Sequence, residues 1–459
     1  MSAPWPSSGR IELPDNDDAH WAPEESMEPE QRREVIFGKL REQVRYCWER
    51  SPFYRELWSD AGVFPETLRT LDDLRHFPFV IKDAIRADQA ERPPFGSNLC
   101  CPPEAVAHLH GTSGTTGRPT AFAISRDDWL RIAAAHARIM WSFGIRPRDT
   151  VFIGSFFSLY LGSWGALIGT EAMGARAFPF GAGVPGQTER ALEYLDLIRP
   201  TAFYGTPSYA LYLAKTATKN GADPKDFGFR VMFFSGEPGA GIPATKKRIE
   251  DTFGAICIDS GTMAEMTPWM TNAECSHRTG MHLWEDIVYT EIVDRDTGEP
   301  IDGDGEGVPV YTHLDRTSQP MIRLYSGDLT SVTSDPCPCG RTYRRLPDGV
   351  YGRVDDMLII RGVNVYPNAV ENALAGVAGV GPEYRIVIER PAELDVFRLE
   401  IESADESVAA TVRDRVKSAA GVSPEVVVHQ PDTLETTEFK SRRIDDRRAT
   451  AGSAATSQA

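Results

Sequence analysis

His110-Gly111-Thr112-Ser113-Gly114-Thr115-Thr116-Gly117-Arg118-Pro119-Thr120 sets three glycines among a run of hydroxyl side chains. Glycine lets the backbone come close to a ligand, and successive N–H groups with hydroxyls form a concavity that wraps an anion. The stretch lacks the G-x-x-x-x-G-K-[ST] pattern, so the common P-loop is excluded. The flanking sequence says what kind of fold carries the loop.

Upstream, residues 29–50 repeat Ile36, Leu40, Val44 and Cys47 at helical spacing, and Ser51-Pro52 ends the helix. Residues 1–28 are Pro-rich and acidic and read as an extended lead-in. Downstream, a helix over 126–141 is followed by short apolar runs at 151–154, 202–204, 231–234 and 256–258, separated by helical stretches such as 187–198 and 244–252. That alternation predicts a mainly parallel sheet flanked by helices. Residues 287–333 read instead as consecutive short strands. After Gly352 come strands at 357–360, 384–388 and 396–401, a helix at 408–419 and a strand at 425–429. The expectation is an α/β protein in two units. A large N-terminal domain (29–352) has mixed sheets flanked by helices, and a small mobile α+β domain spans 353–445. Residues 446–459 read as a disordered tail.

The chain has 459 residues, 41% of them hydrophobic, and a formal charge of −17. An acidic surface argues against nucleic acid and against anionic membranes as partners. No apolar run approaches the length of a membrane span. Seven cysteines in a chain of this size read as cytoplasmic thiols rather than a disulfide framework. The oligomeric state, a homodimer included, is left open.

Two more motifs follow the loop in order, Tyr325-Ser326-Gly327-Asp328 and Gly352-Arg353-Val354-Asp355-Asp356. A carboxylate such as Asp328 accepts two ribose hydroxyls, and a cation such as Arg353 suits a nucleotide phosphate. Together with Ser235-Gly236-Glu237-Pro238, the 280–286 stretch, Cys337–Arg341 and Ile360-Arg361-Gly362-Val363-Asn364, these residues resemble the phenylacetate–CoA ligase branch of the adenylate-forming enzymes. The resemblance implies ATP-dependent activation of an aromatic carboxylic acid to an acyl-adenylate, then transfer to coenzyme A. It also implies roles for individual residues. Thr112, Ser113, Gly114, Thr115, Thr116 and Gly117 would hold the ATP phosphates. Ser235, Gly236 and Glu237 would lie along the adenine, and Asp328 and Arg353 at the ribose. Glu265 would hold Mg²⁺, Asp355 would be the hinge, and Lys440 the catalytic lysine. Joining a carboxylate to the α-phosphate brings two anions together, so the reaction needs such cations. The sequence departs from the family twice. In Asp259-Ser260-Gly261-Thr262-Met263-Ala264-Glu265, Gly261 stands where an aromatic is usual, and Phe439 stands where Gly usually precedes the lysine.

Cys337-Pro338-Cys339, with Cys275 and either His277 or His282 upstream, has the composition of a Cys₃His zinc site. The resemblance favours His282 and a structural metal. Phe156, Phe157 and Tyr160, with Tyr204, Gly205 and Gly261, form the candidate acid pocket, since aromatic walls at strand ends suit a planar acid. Two other functions compete with the aryl-acid:CoA ligase. One keeps the adenylation but passes the acyl group to a carrier protein, an amine or nitrite. The other is a catalytically silent binding paralogue.

Overall fold

The structure is a computed structural model that describes residues 11–111, 120–159, 161–182, 186–268, 270–354, 358–361, 363–375, 377–391, 394–434 and 443–448. Its centre is a five-stranded parallel sheet of Thr150–Ile153, Arg176–Phe178, Ala202–Gly205, Val231–Phe234 and Ile256–Asp259. In chain order these strands lie second, first, third, fourth, fifth across the sheet. The edge strand Arg176–Phe178 was not foreseen in the sequence.

Alternation along the strands sends side chains to two covered faces. Val151, Ile153, Tyr204, Val231, Phe233 and Ile258 pack with Ile132, Ala137, Met140 and Ala166 of the helices Arg126–Ser142 and Leu161–Ala172. Phe152, Phe203, Met232, Phe234 and Cys257 pack with Leu195, Leu213, Ile249 and Phe253 of the helices Gln187–Ile198, Pro207–Lys219 and Pro243–Phe253. Burial on both faces is why the strands are apolar throughout instead of alternating with polar residues. The strand order reverses between the first and third strands, and open sheets of this kind bind ligands in the crevice beyond the carboxyl ends at that point.

Three further units surround the sheet. Val106–Gly111 and Ala121–Ser125 form an antiparallel pair with Gly111 opposite Ala121. Val288–Val293, Gly305–His313, Asp328–Val332 and Val350–Arg353 form an antiparallel sheet in that spatial order, with Leu324–Tyr325 beside the second strand. The small domain sets Glu425–His429, Val396–Glu402, Tyr384–Glu389 and Ile444–Asp446 in one sheet, against the helices Pro367–Ala375 and Val408–Ala420. Its last strand runs parallel to Tyr384–Glu389, and Arg448 Nη1 donates to Ile359 O at 2.7 Å. Folded structure therefore continues through 448, and any tail begins beyond it.

The lead-in is packed down over the part described. Glu25 is fully buried between Arg138 Nε at 2.9 Å and Arg341 Nη2 at 2.7 Å, and Trp21 meets Trp141 edge-on at 5.5 Å. All seven cysteines are free thiols. Among the described residues no helix is long and apolar enough to cross a membrane.

Candidate active site

The neck of the glycine-rich loop is narrow for a packing reason. A Cβ on Gly111 would lie 2.9 Å from the Thr120 carbonyl oxygen, closer than such contacts allow, so only glycine closes the hairpin there. Gly111 N–H donates to Leu159 O at 3.2 Å, which docks the neck on the segment leaving the first parallel strand. Residues 112–117, Tyr160, Asp355 and Lys440 lie outside the described residues.

Asp328 and Arg353 are direct partners in antiparallel strands, and Arg353 Nη1 donates to Asp328 Oδ1 at 2.8 Å. Both are part-exposed, with side-chain exposures of 13% and 33%. The pair sits where the large domain hands over to the small one, and Val354 N–H donates to Gly327 O at 2.7 Å.

Ser235 and Tyr204 stand side by side at the ends of adjacent strands, their hydroxyl oxygens 2.7 Å apart. Gly236 turns the chain with φ +91°. Glu237 then reaches across to accept from Ser208 N–H at 2.6 Å, and burial pushes its carboxyl pKa up. Gly261 has φ +148°, a backbone shape that side chains rarely adopt, and a Cβ there would lie 3.7 Å from Ser235 Cβ. That geometry accounts for glycine in place of an aromatic. Phe156 and Phe157 are half-buried beyond the first strand. Phe157 packs edge-on against Trp164 at 5.3 Å, and Ser163 Oγ donates to Phe156 O at 2.8 Å. At Gly205 a Cβ would lie 2.8 Å from the Phe203 ring and 3.0 Å from Gly154 O, so the crevice floor is bare backbone.

Glu265 follows the fifth strand and is buried. Its Oε1 lies 3.3 Å from Lys82 Nζ, and its Oε2 has no hydrogen-bond partner among the described residues. A buried carboxylate oxygen left unmatched is costly, and an oxygen ligand of this kind fits a hard divalent cation. Sequence reasoning missed Lys82. The only hint was its place just after Phe77-Pro78-Phe79. Val80 positions it by exchanging hydrogen bonds with Arg323 O and Tyr325 N–H, each 2.9 Å.

Away from this crevice, Cys275, His282, Cys337 and Cys339 present their ligand atoms within 4.8 Å of one another. Cys275 Sγ is 3.7 Å from Cys337 Sγ, and Cys339 Sγ is 3.5 Å from His282 Nε2. His282 lies on the strand Met281–Leu283, which pairs with Arg345–Leu346 just beyond the two later cysteines; His277 is exposed and outside the group. The lead-in covers the knuckle, with His20 Nε2 at 2.8 Å from Cys339 O.

Residues 64–309 match the AMP-binding enzyme family, and residues 362–448 match the AMP-binding enzyme C-terminal domain. The phenylacetate-coenzyme A ligase of Thermus thermophilus is 36% identical over 382 residues, 83% of each chain. The chain belongs to the AMP-binding, adenylate-forming enzymes. Within that family, a solved 2-hydroxyisobutyryl-CoA ligase in the postadenylation state with 2-HIB-AMP is 46% identical and superposes with a TM-score of 0.92, covering 96% of this chain and 94% of its own. The same ligase in the thioesterification state with 2-HIB-AMP and CoA, 48% identical, superposes at only 0.75 over 95% of this chain and 94% of its own. This chain is an AMP-forming acid–CoA ligase, which activates a carboxylic acid with ATP and transfers the acyl group to CoA.

Proposed function

We propose that the reaction runs in two poses of one crevice. In the first, residues 112–117 hold the ATP phosphates, Ser235–Glu237 flank the adenine, and Asp328 with Arg353 holds the ribose. The carboxylate of the acid lies over the bare backbone at Gly205 and attacks the α-phosphate. Lys440, carried by the small domain, stabilises the pyrophosphate leaving. Glu265 fits Mg²⁺, which when bound neutralises charge developing on the phosphates. The small domain then turns about Asp355. That moves Lys440 away and lets the CoA thiol reach the acyl carbonyl.

The acid we read as a compact, branched 2-hydroxy carboxylic acid. The single observation behind that reading is the 46% identity to a 2-hydroxyisobutyryl-CoA ligase across 96% of this chain. An aromatic acid is the second reading, favoured by Phe156 and Phe157 and by the phenylacetate–CoA ligases. A panel of 2-hydroxyisobutyrate, 3-hydroxybutyrate, phenylacetate and benzoate, each with Mg·ATP and CoA, separates them by kcat/KM. A tenfold or greater preference for phenylacetate overturns the first reading. Carrier protein, an amine or nitrite replacing CoA as the better acceptor overturns CoA as the acceptor.

Cys275, His282, Cys337 and Cys339 fit one structural zinc. Tetrahedral bonds of about 2.3 Å to sulfur and about 2.0–2.1 Å to nitrogen put S···S edges near ~3.8 Å and S···N edges near ~3.6 Å. The separations of 3.7 and 3.5 Å are close to both. Four protein ligands leave no open position, so the metal would brace the fold and take no part in the chemistry.

A further inference from the structure

The register of the parallel sheet runs one step past its strands. Gly154 N–H donates to Tyr204 O at 2.8 Å, Ser235 N–H to Gly205 O at 3.3 Å and Ser260 N–H to Phe234 O at 3.1 Å. Ile153 pairs with Tyr204, Tyr204 with Phe233 and Phe233 with Ile258. Two residues further on, where side chains return to the same face, Ser155, Thr206, Ser235 and Ser260 come level. A row of hydroxyl residues therefore caps that face at the carboxyl edge of the sheet, each no more than 3% exposed.

The protein itself uses all but one of these hydroxyls. Thr206 Oγ1 accepts from Tyr209 N–H at 3.2 Å, Ser235 Oγ lies 2.7 Å from Tyr204 Oη, and Ser260 Oγ donates to Phe234 O at 2.8 Å. Ser155 Oγ is buried with no hydrogen-bond partner among the described residues. A buried hydroxyl left unmatched is costly, and a ligand that matches it recovers the cost. The place of Ser155 suits a ligand. It follows Gly154, whose carbonyl oxygen would lie 3.0 Å from a Cβ on Gly205, so it borders the bare backbone of the crevice floor. Phe156 and Phe157 come next in the chain, and the strand that Ser155 leaves is one of the two between which the strand order reverses.

We propose that Ser155 is a specificity-determining residue: its hydroxyl exchanges a hydrogen bond with the 2-hydroxyl of the acid whose carboxylate lies over Gly205. This rests on reading the acid as a 2-hydroxy carboxylic acid. Each hydroxyl can donate or accept, and neither is charged, so the carboxylate stays free to attack the α-phosphate. An acid without the 2-hydroxyl leaves Ser155 unmatched, and a site that hydrogen-bonds a substrate hydroxyl rejects the analogue lacking it.

The test compares 2-hydroxyisobutyrate with 2,2-dimethylpropanoate, in which a methyl replaces the hydroxyl at nearly equal size. Each is assayed on the full chain with Mg·ATP and CoA, by kcat/KM or, where it is not turned over, as a competitive inhibitor. The wild-type enzyme is expected to prefer the hydroxy acid. Ser155→Ala should cut that preference about tenfold, the scale of one neutral hydrogen bond, with 2,2-dimethylpropanoate unchanged within about twofold. Ser155→Cys, similar in size but a weak hydrogen-bonder, should fall between. The urea midpoint of Ser155→Ala should not drop, since no bond within the protein is lost. No preference in the wild type, an unchanged preference in Ser155→Ala, or equal losses with both acids refutes the role of Ser155. Should Ser155→Ala fail to fold, Ser155→Cys carries the same comparison. A wild-type enzyme that turns over phenylacetate but not 2-hydroxyisobutyrate refutes the reading of the acid, and the proposal falls with it.

Discussion

Replacing Glu265 with Gln should separate chemistry from stability. The residue is 4% exposed, one carboxylate oxygen is 3.3 Å from Lys82 Nζ, and the other has no partner among the described residues. Removing the charge forfeits an ion pair worth about 1 kcal/mol at a site this open on the lysine side. The Lys82 side chain is 32% exposed and can turn to water. Gln keeps a polar amide atom at the unmatched position, so the burial cost there is little changed. The unfolding free energy should therefore fall by no more than about 1 kcal/mol. Function should lose far more. Losing a charged ligand at the phosphates should cost about 3–4 kcal/mol, on the order of 10²–10³ in rate. Acid-dependent pyrophosphate exchange as a function of Mg²⁺, with urea unfolding of the same samples, reads both quantities. The expected result is a large fall in exchange, a higher Mg²⁺ requirement and an unmoved urea midpoint. A variant destabilised by more than about 3 kcal/mol, with normal exchange per folded molecule, would make Glu265 a structural ion-pair partner and refute the cation assignment.

Other predictions concern separate parts of the molecule. Glu25→Ala leaves Arg341 without a buried counterion and Arg138 with Asp286 alone, and should cost about 3–5 kcal/mol in urea unfolding; a loss under about 1 kcal/mol would show that the lead-in is not clamped. Cys337→Ser should remove one tightly held zinc per chain by metal analysis while the remaining folded fraction still exchanges pyrophosphate; full zinc retention counts against the four-ligand site. Burial pushes His136 and His313 down to about 3 and His110 to about 4. Below pH ~6.5 the unfolded chain takes up protons that the folded chain refuses, so stability should fall as pH drops from 6.5 toward 4, by up to about 1.4 kcal/mol per pH unit for each histidine. Urea midpoints that do not change between pH 7 and 5 would refute that reading.

The parallel sheet was legible because its strands are buried on both faces, so 151–154, 202–204 and 231–234 stand out as apolar runs. Arg176–Phe178 was not, being three residues at a sheet edge with no buried position. The hairpin strand Val106–Gly111 hid because its inward residue is His110, stacked near Trp129 at 5.7 Å, where a pattern reader expects an aliphatic side chain. Asp328 and Arg353 could be picked from their motifs, and register then made them partners. Lys82 and Glu25 could not be picked, since each takes its meaning from a partner brought close only by the fold: Glu265 and Arg341. Glycine at 261 looked like a missing aromatic in sequence; in the structure its positive φ is the reason for it.

The central claim is that the chain makes a free acyl-adenylate before any thioester. Incubation with labelled pyrophosphate, Mg·ATP and 2-hydroxyisobutyrate or phenylacetate, with CoA left out, tests it directly. The account predicts acid-dependent label in ATP without CoA, and acyl-CoA with release of AMP once CoA is added. Acyl-CoA formed with ADP and phosphate as products, or no exchange with any acid of the panel from folded protein, would contradict it.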